Sequence, residues 1–241
     1  MWNRCQLKEN AKAVLRVSYW KAFLVSFILV LVSNNGIASF NYNQSDFESL
    51  SPGIDWFLSL PVVTMLFGML FSLTIASFLI SIFVVGPLEV GAQHYFLEST
   101  QMRFRLENIT RGFTGGRYRN VVTTMLLRNI YIFLWSLLLL IPGIIKSYSY
   151  AMVPFLLAEN PSIPPSRAIE MSMYMTDGHK WRMFVLTLSF FGWFLVGILA
   201  LGIGVLFVCP YYDTTQAELY VALRAIALDK GIISLAELES H

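Results

Sequence analysis

LSFFGWFLVGILALGIGVLFVCPYY, residues 188–212, decides the fold. It lies inside Met183–Tyr212, thirty residues without a charge. One straight helix of that length is about 45 Å long, against a hydrocarbon core of about 30 Å. Leu201-Gly202-Ile203-Gly204 stands near its middle, and glycine turns a chain where other residues cannot. Two short spans, about 181–200 and 203–224, fit the bilayer. One tilted helix ending near Pro210 is the alternative.

The rest of the chain asks for the same solvent. Of its 241 residues 56% are hydrophobic and 13% charged, about half the roughly 25% of a soluble domain. Ala22–Ser45 and Trp56–Leu88 are also free of charge, and each exceeds the roughly 20 residues that cross a bilayer. An integral membrane protein follows. Cys5 and Cys209 are far apart, one in a basic segment and one in an apolar run. That excludes a disulfide framework and a structural zinc site, which needs about four ligands. No nucleic-acid module is present. Arg4–Lys21, the apolar 22–32 and Gly36-Ile37-Ala38 mimic a secretory signal. The basic part is long and patterned, so the first span is expected to be retained.

Arg4, Lys8, Lys12 and Arg16 recur every four residues and form one basic stripe on an amphipathic helix over 1–19. Such a helix rests on anionic lipids, at about 1 kcal/mol per basic residue near the surface, or serves as a positive flank. Both place this end in the cytoplasm. A first span follows over Trp20–Ala38, leaving near Asn34-Asn35-Gly36. Residues 39–58 are polar and acidic, with Asn43-Gln44-Ser45 as a sequon. A second span starts near Leu60, kinks at Gly86-Pro87, and continues to about Glu98. The apolar 121–157 is too long for one span, so Pro142-Gly143 predicts a hairpin of about 120–141 and 143–158. Residues 159–180 read as an interfacial helix with Ala168, Ile169, Ser172 and Met173 on one face and a stop at Asp177-Gly178.

Charge arbitrates between six spans and four. With six, both hairpin turns lie outside, and of the seventeen basic residues only Lys146 falls near the outer face, where it snorkels. The positive-inside rule is then obeyed. With four, the basic segments 99–119 and 159–182 fall on opposite sides. The expected fold is all-α: a polytopic transmembrane helical bundle of six spans with both termini cytoplasmic, plus amphipathic interfacial helices. It forms one domain over 1–241: the N-terminal helix 1–19, the bundle 20–225 and a cytoplasmic tail 226–241.

A resemblance rests on particular residues. Ser189-Phe190-Phe191-Gly192-Trp193, Gly202-Ile203-Gly204, Pro210-Tyr211, Ala217 and Tyr220 resemble a signature of a bacterial integral-membrane family catalogued as domain of unknown function 975. So do Lys8, Ala11, Lys12, Leu15, Tyr19, Trp20 and Lys21, and then Ala168, Ser172, Met175, Gly178 and Lys180. More distantly, Pro142-Gly143-Ile144 with Ala168, Ser172 and Gly178 resembles the non-catalytic membrane domain of some bacterial glycerophosphodiesterases. The resemblance implies a multi-pass protein of the bacterial plasma membrane and no established activity.

Two acids follow prolines in apolar helices: Glu89 after Pro87, and Asp213 after Pro210. Each precedes an Ala-x-x-Tyr, ending at Tyr95 and Tyr220. Either the four side chains face one cavity, as acids at broken helices do in transporters, or the acids mark where spans leave the inner leaflet. His94 and Glu98 lie one turn apart without a third ligand nearby. Gly112–Arg117 is a glycine-rich basic loop without the ending of a nucleotide loop. Met171, Met173, Met175 and Met183 spread around their helices and read as packing. No catalytic set, metal site or cofactor site appears. The expectation is a non-enzymatic structural or accessory membrane protein that contacts anionic lipids, a membrane-protein partner or a second copy of itself. The alternative is a small-solute or ion transporter.

Overall fold

The computed structural model describes residues 4–32, 60–104, 106–113, 117–199 and 203–238. Among them the elements are helical throughout. In chain order they are α1 (Arg4–Val32), α2 (Leu60–Ile80), a π-turn (Ser81–Val85), α3 (Gly86–Thr100), a 3-10 segment (Leu106–Phe113) and α4 (Tyr118–Leu138). Then come α5 (Leu140–Ser149), α6 (Val153–Glu159), α7 (Pro165–Thr176), α8 (Lys180–Leu199), α9 (Ile203–Asp229) and α10 (Leu235–Leu238). Among the described residues four stretches are long and apolar enough to cross a membrane: Phe67–Thr100, Tyr118–Leu138, Ile141–Glu159 and Lys180–Leu199.

The quoted stretch is two helices. Phe190 packs edge-on against Tyr211 and Tyr212, at 5.0 and 5.4 Å between ring centroids, and Phe194 against Tyr212. Further along, a Cβ on Gly197 would stand 2.7 Å from the Val205 nitrogen. Residues rising along α8 therefore meet residues falling along α9, which defines an antiparallel hairpin. Gly197 is where the backbones come closest, and only a residue without Cβ fits. Gly202, the expected turn, lies outside the described residues.

The second predicted hairpin forms in the same way from α4 and α5. Tyr131 meets Tyr150, and the Lys146 ammonium lies 4.9 Å over the Trp135 ring. The Lys146 ammonium is thus held by the aromatic face of its own hairpin. The chain reverses at Leu139, the extended residue between the helices.

Each hairpin is exposed at its tip and buried at its base. Phe133, Leu137, Leu138 and Ile141 are exposed, as are Trp193, Val196 and Leu199. Val121, Met125, Leu156, Leu186, Tyr220 and Leu223 are buried in one core with α3. From Phe67 to Ile80 α2 shows large apolar side chains to its surroundings, including Phe67, Leu70, Phe71 and Phe78. In water such a surface would aggregate; in a bilayer it is solvated by acyl chains.

Three expectations are corrected. The α4–α5 hairpin turns at Leu139 and not at Pro142-Gly143, which form part of the first turn of α5, and the expected span 143–158 is divided between α5 and α6. No break separates an N-terminal helix 1–19 from the first span. α1 is continuous from Arg4 to Val32, with Leu7, Ala11, Val14 and Leu15 buried before position 19 and Ala22 and Val25 buried after it. At the other end α9 runs to Asp229, past the expected limit at 225. The tail then folds back: Leu238 is buried, and Asn160 Nδ2 donates to the Glu237 carbonyl at 2.9 Å. The expected exit at Asn34-Asn35-Gly36, the acidic loop 39–58 with its sequon, and the cleavage-like Gly36-Ile37-Ala38 lie outside the described residues.

α7 is the expected non-spanning helix, with Ala168, Ile169 and Ser172 buried. It ends at Thr176, and Gly178, two residues on, has a left-handed φ of 72°. Its Ser172 sits at the gap between α5 and α6. The Ser172 hydroxyl donates to the Ser149 carbonyl at 2.8 Å and accepts from the Met152 N–H at 3.2 Å. A helix broken inside a membrane leaves backbone groups that must find partners, and here one side chain serves both ends of the gap. Met171, Met175 and Met183 are buried, as packing residues are.

Candidate functional site: the two proline breaks

Pro87 has no N–H to offer the Phe83 carbonyl four residues back. Two adjustments answer this. The helix widens into the π-turn 81–85, closed by the Gly86 N–H on the Ser81 carbonyl. The Tyr118 hydroxyl, from the start of α4, donates to the Phe83 carbonyl at 2.7 Å. The 3-10 segment seals the other side. A Cβ on Gly112 would collide with the Pro87 carbonyl, and one on Gly91 with the Ile109 carbonyl. Gly112 is therefore a close backbone approach. The remainder of the glycine-rich loop, 114–116, lies outside the described residues.

Pro210 sits inside α9, which keeps its α-register around it. The orphaned carbonyl belongs to Leu206. The Tyr19 hydroxyl of α1 donates to the next carbonyl, Phe207, at 3.3 Å.

The acids beyond the prolines are engaged with the fold. Glu89 lies 3.6 Å from the Arg128 guanidinium of α4, and Arg128 Nε donates to the Tyr150 carbonyl at 3.1 Å. Asp213 accepts a 2.5 Å hydrogen bond from the Ser26 hydroxyl of α1. Glu89 and Asp213 lie within electrostatic range of each other. The Tyr220 hydroxyl goes elsewhere. Tyr220 donates at 2.9 Å to Glu159, which also accepts from Arg224 at 3.0 Å, and its ring stacks on Phe155. Tyr95 is buried, edge-on to Phe96. Glu89 and Asp213 thus have separate partners on different helices, and Tyr220 belongs to a cluster with Glu159 and Arg224.

Sequence reading missed the partners. Arg128 carried a signal, as the one charge inside the apolar 120–141, where an intramembrane arginine asks for a counter-ion. Glu159 and Arg224 stand at span ends, where charge is ordinary. Ser26 carried no signal.

The basic stripe on α1 is divided. Arg4, Lys12 and Arg16 are exposed, while Lys8 is half-buried with its ammonium 4.4 Å over the Phe190 ring. Lys12 reaches toward Tyr211 at 5.9 Å. His94 Nε2 lies 3.5 Å from Glu98 Oε1, and among the described residues no group of three ligands gathers around them.

Two cavities lie away from the proline breaks. One, of about 310 Å³, runs from Asn160 and Pro164 to the docked tail. There Arg167 bridges Glu170 and Glu237 at 3.1 and 3.0 Å. The hydrogen bond from Arg167 holds the Glu237 carboxyl below its ordinary range. The other, of about 400 Å³, is an apolar groove between α5 and α8.

Helices with apolar tips over a shared core, their backbone breaks closed by side chains, define an α-helical membrane protein. The family model described as "Protein of unknown function (DUF975)" matches residues 137–227, from the end of α4 to the end of α9. The family resemblance read from the sequence is borne out over that stretch; the distant likeness to glycerophosphodiesterase membrane domains is not shown by it. No curated protein and no solved structure matches the chain.

Proposed function

We propose that this is a six-span protein of the bacterial plasma membrane, with both termini cytoplasmic, acting as a non-enzymatic structural or accessory component. It touches anionic lipid through Arg4, Lys8, Lys12 and Arg16 and engages a membrane-protein partner or a second copy of itself. The observation that supports this best is the closure of its acids. Glu89 is matched by Arg128, Asp213 by Ser26, and Glu159 by Tyr220 and Arg224. A transport site needs polar groups aimed at a path, whereas these are aimed at neighbouring helices.

Single cysteines test the spans, in a chain with Cys5 and Cys209 replaced. An impermeant thiol reagent on intact cells is expected to label positions 139 and 202 but not 115. Labelling of 115 removes the six-span reading. For the lipid contact, native mass spectrometry of the full chain counts bound phosphatidylglycerol. Alanine at all four stripe positions is expected to lower that count, as is high salt; indifference to both sinks the idea.

Two carboxylates placed just beyond prolines in apolar helices favour a second reading, a small-solute or ion transporter. Reconstituted chains carrying Glu89→Gln and Asp213→Asn separate the two. Loss of a cation or proton flux present in the wild type supports transport; a change confined to stability supports the accessory role.

A further inference from the structure

The groove between α5 and α8 is lined by Ile144, Ile145 and Tyr148 on one wall and by Trp181 and Phe184 on the other. Inside a bilayer an acyl chain fills any apolar groove, because lipid tails are as apolar as the side chains they replace. The groove alone therefore selects no lipid. Its end does. Lys180, the first residue of α8, also lines it. His179 stands beside Lys180 in the chain, and its imidazole is held below its ordinary range by burial and then by the charges of Lys230 and Arg182. Of the residues that line the groove, Lys180 is the cation. Asp177 lies 3.7 Å from Lys180 with its side chain 80% exposed, and so exposed a pair holds weakly against a competing anion. Trp181 is also exposed, as indole rings are at the headgroup level.

We propose that this groove is a binding site for one anionic glycerophospholipid, with an acyl chain along Ile144, Ile145 and Phe184 and its phosphate on Lys180. The site lies on different helices from the α1 stripe. It rests on the reading that α5 and α8 face lipid.

The test is tryptophan quenching in vesicles by brominated lipid. The full chain keeps Trp181, and its five other tryptophans become phenylalanine. Brominated phosphatidylglycerol and brominated phosphatidylcholine are compared at equal mole fraction. The expected result is about a fivefold preference for phosphatidylglycerol, the factor of one basic contact near a membrane, abolished by Lys180→Ala. Equal quenching by both lipids overturns the site and leaves the bilayer placement standing. Quenching by neither overturns both. A preference that survives Lys180→Ala removes the phosphate contact. If the five replacements prevent folding, the wild type minus Trp181→Phe gives the same quantity.

Discussion

At Pro87 the helix changes register through the π-turn 81–85, and Tyr118 takes the freed Phe83 carbonyl at 2.7 Å. At Pro210 the α-register runs on, and Tyr19 stands 3.3 Å from a neighbouring carbonyl. The lesion is the same, and its surroundings differ. The Pro87 carbonyl is pressed by the backbone at Gly112, so the helix cannot bend there and absorbs the mismatch along its axis. Beside Pro210, Phe207 is exposed, and Tyr211 and Tyr212 meet the Phe190 ring of α8. The register change accompanies a close backbone approach at Pro87.

The comparison breaks most readily at Gly112. Gly112→Val drives a Cβ into the Pro87 carbonyl and is expected to cost about 3 kcal/mol or more. Cys209→Val, beside Pro210, is expected to cost less than about 1 kcal/mol. Size-exclusion recovery of detergent-solubilised chains measures both; a tolerated Gly112→Val means the backbone contact does not control the turn.

The charges come next. Arg128→Ala strands Glu89 and is expected to lose about 2 kcal/mol, restored in part when Glu89→Gln is added. Ser26→Ala removes one donor from Asp213, a loss of about 1 kcal/mol. Thermal melts in one detergent rank the two, and the reverse order would place the stronger anchor at Pro210.

Smaller still, Tyr118→Phe is expected to cost about 1 kcal/mol, and Tyr19→Phe a few tenths, because the longer contact is the weaker bond. Equal costs would show that both breaks lean on their tyrosines alike.

The smallest effect lies away from both breaks and serves as a reference. The Glu237 carboxyl titrates lower in the fold than its ordinary 4.5. Its stabilisation is therefore whole above that value and is lost as pH falls through the folded one. The melting difference between wild type and Glu237→Gln is expected to shrink between about pH 5 and pH 3.

Lesions were legible in the sequence and repairs were not. The over-long apolar runs 121–157 and 183–212 marked two hairpins because a helix cannot exceed the bilayer without turning, but the first turn falls at Leu139, ahead of Pro142-Gly143. Pro87 and Pro210 marked two breaks because their chemistry is local. Tyr118, Tyr19 and Ser26 reach their partners from 35, 188 and 187 residues away, and no periodicity encodes such distances. The continuity of α1 escaped for a related reason. The basic stripe reads as a separate helix resting on lipid or as a positive flank, while α1 packs against α9 and α3.

Ser172 has a consequence for the order of assembly. It closes the gap between α5 and α6 from a position twenty residues downstream of Met152. During synthesis the ribosome completes Ile141–Glu159 before it makes the serine that joins that stretch's two halves. Through that interval the Ser149 carbonyl and the Met152 N–H lack the hydroxyl that serves both. This span is finished late, by a helix that does not itself cross the membrane.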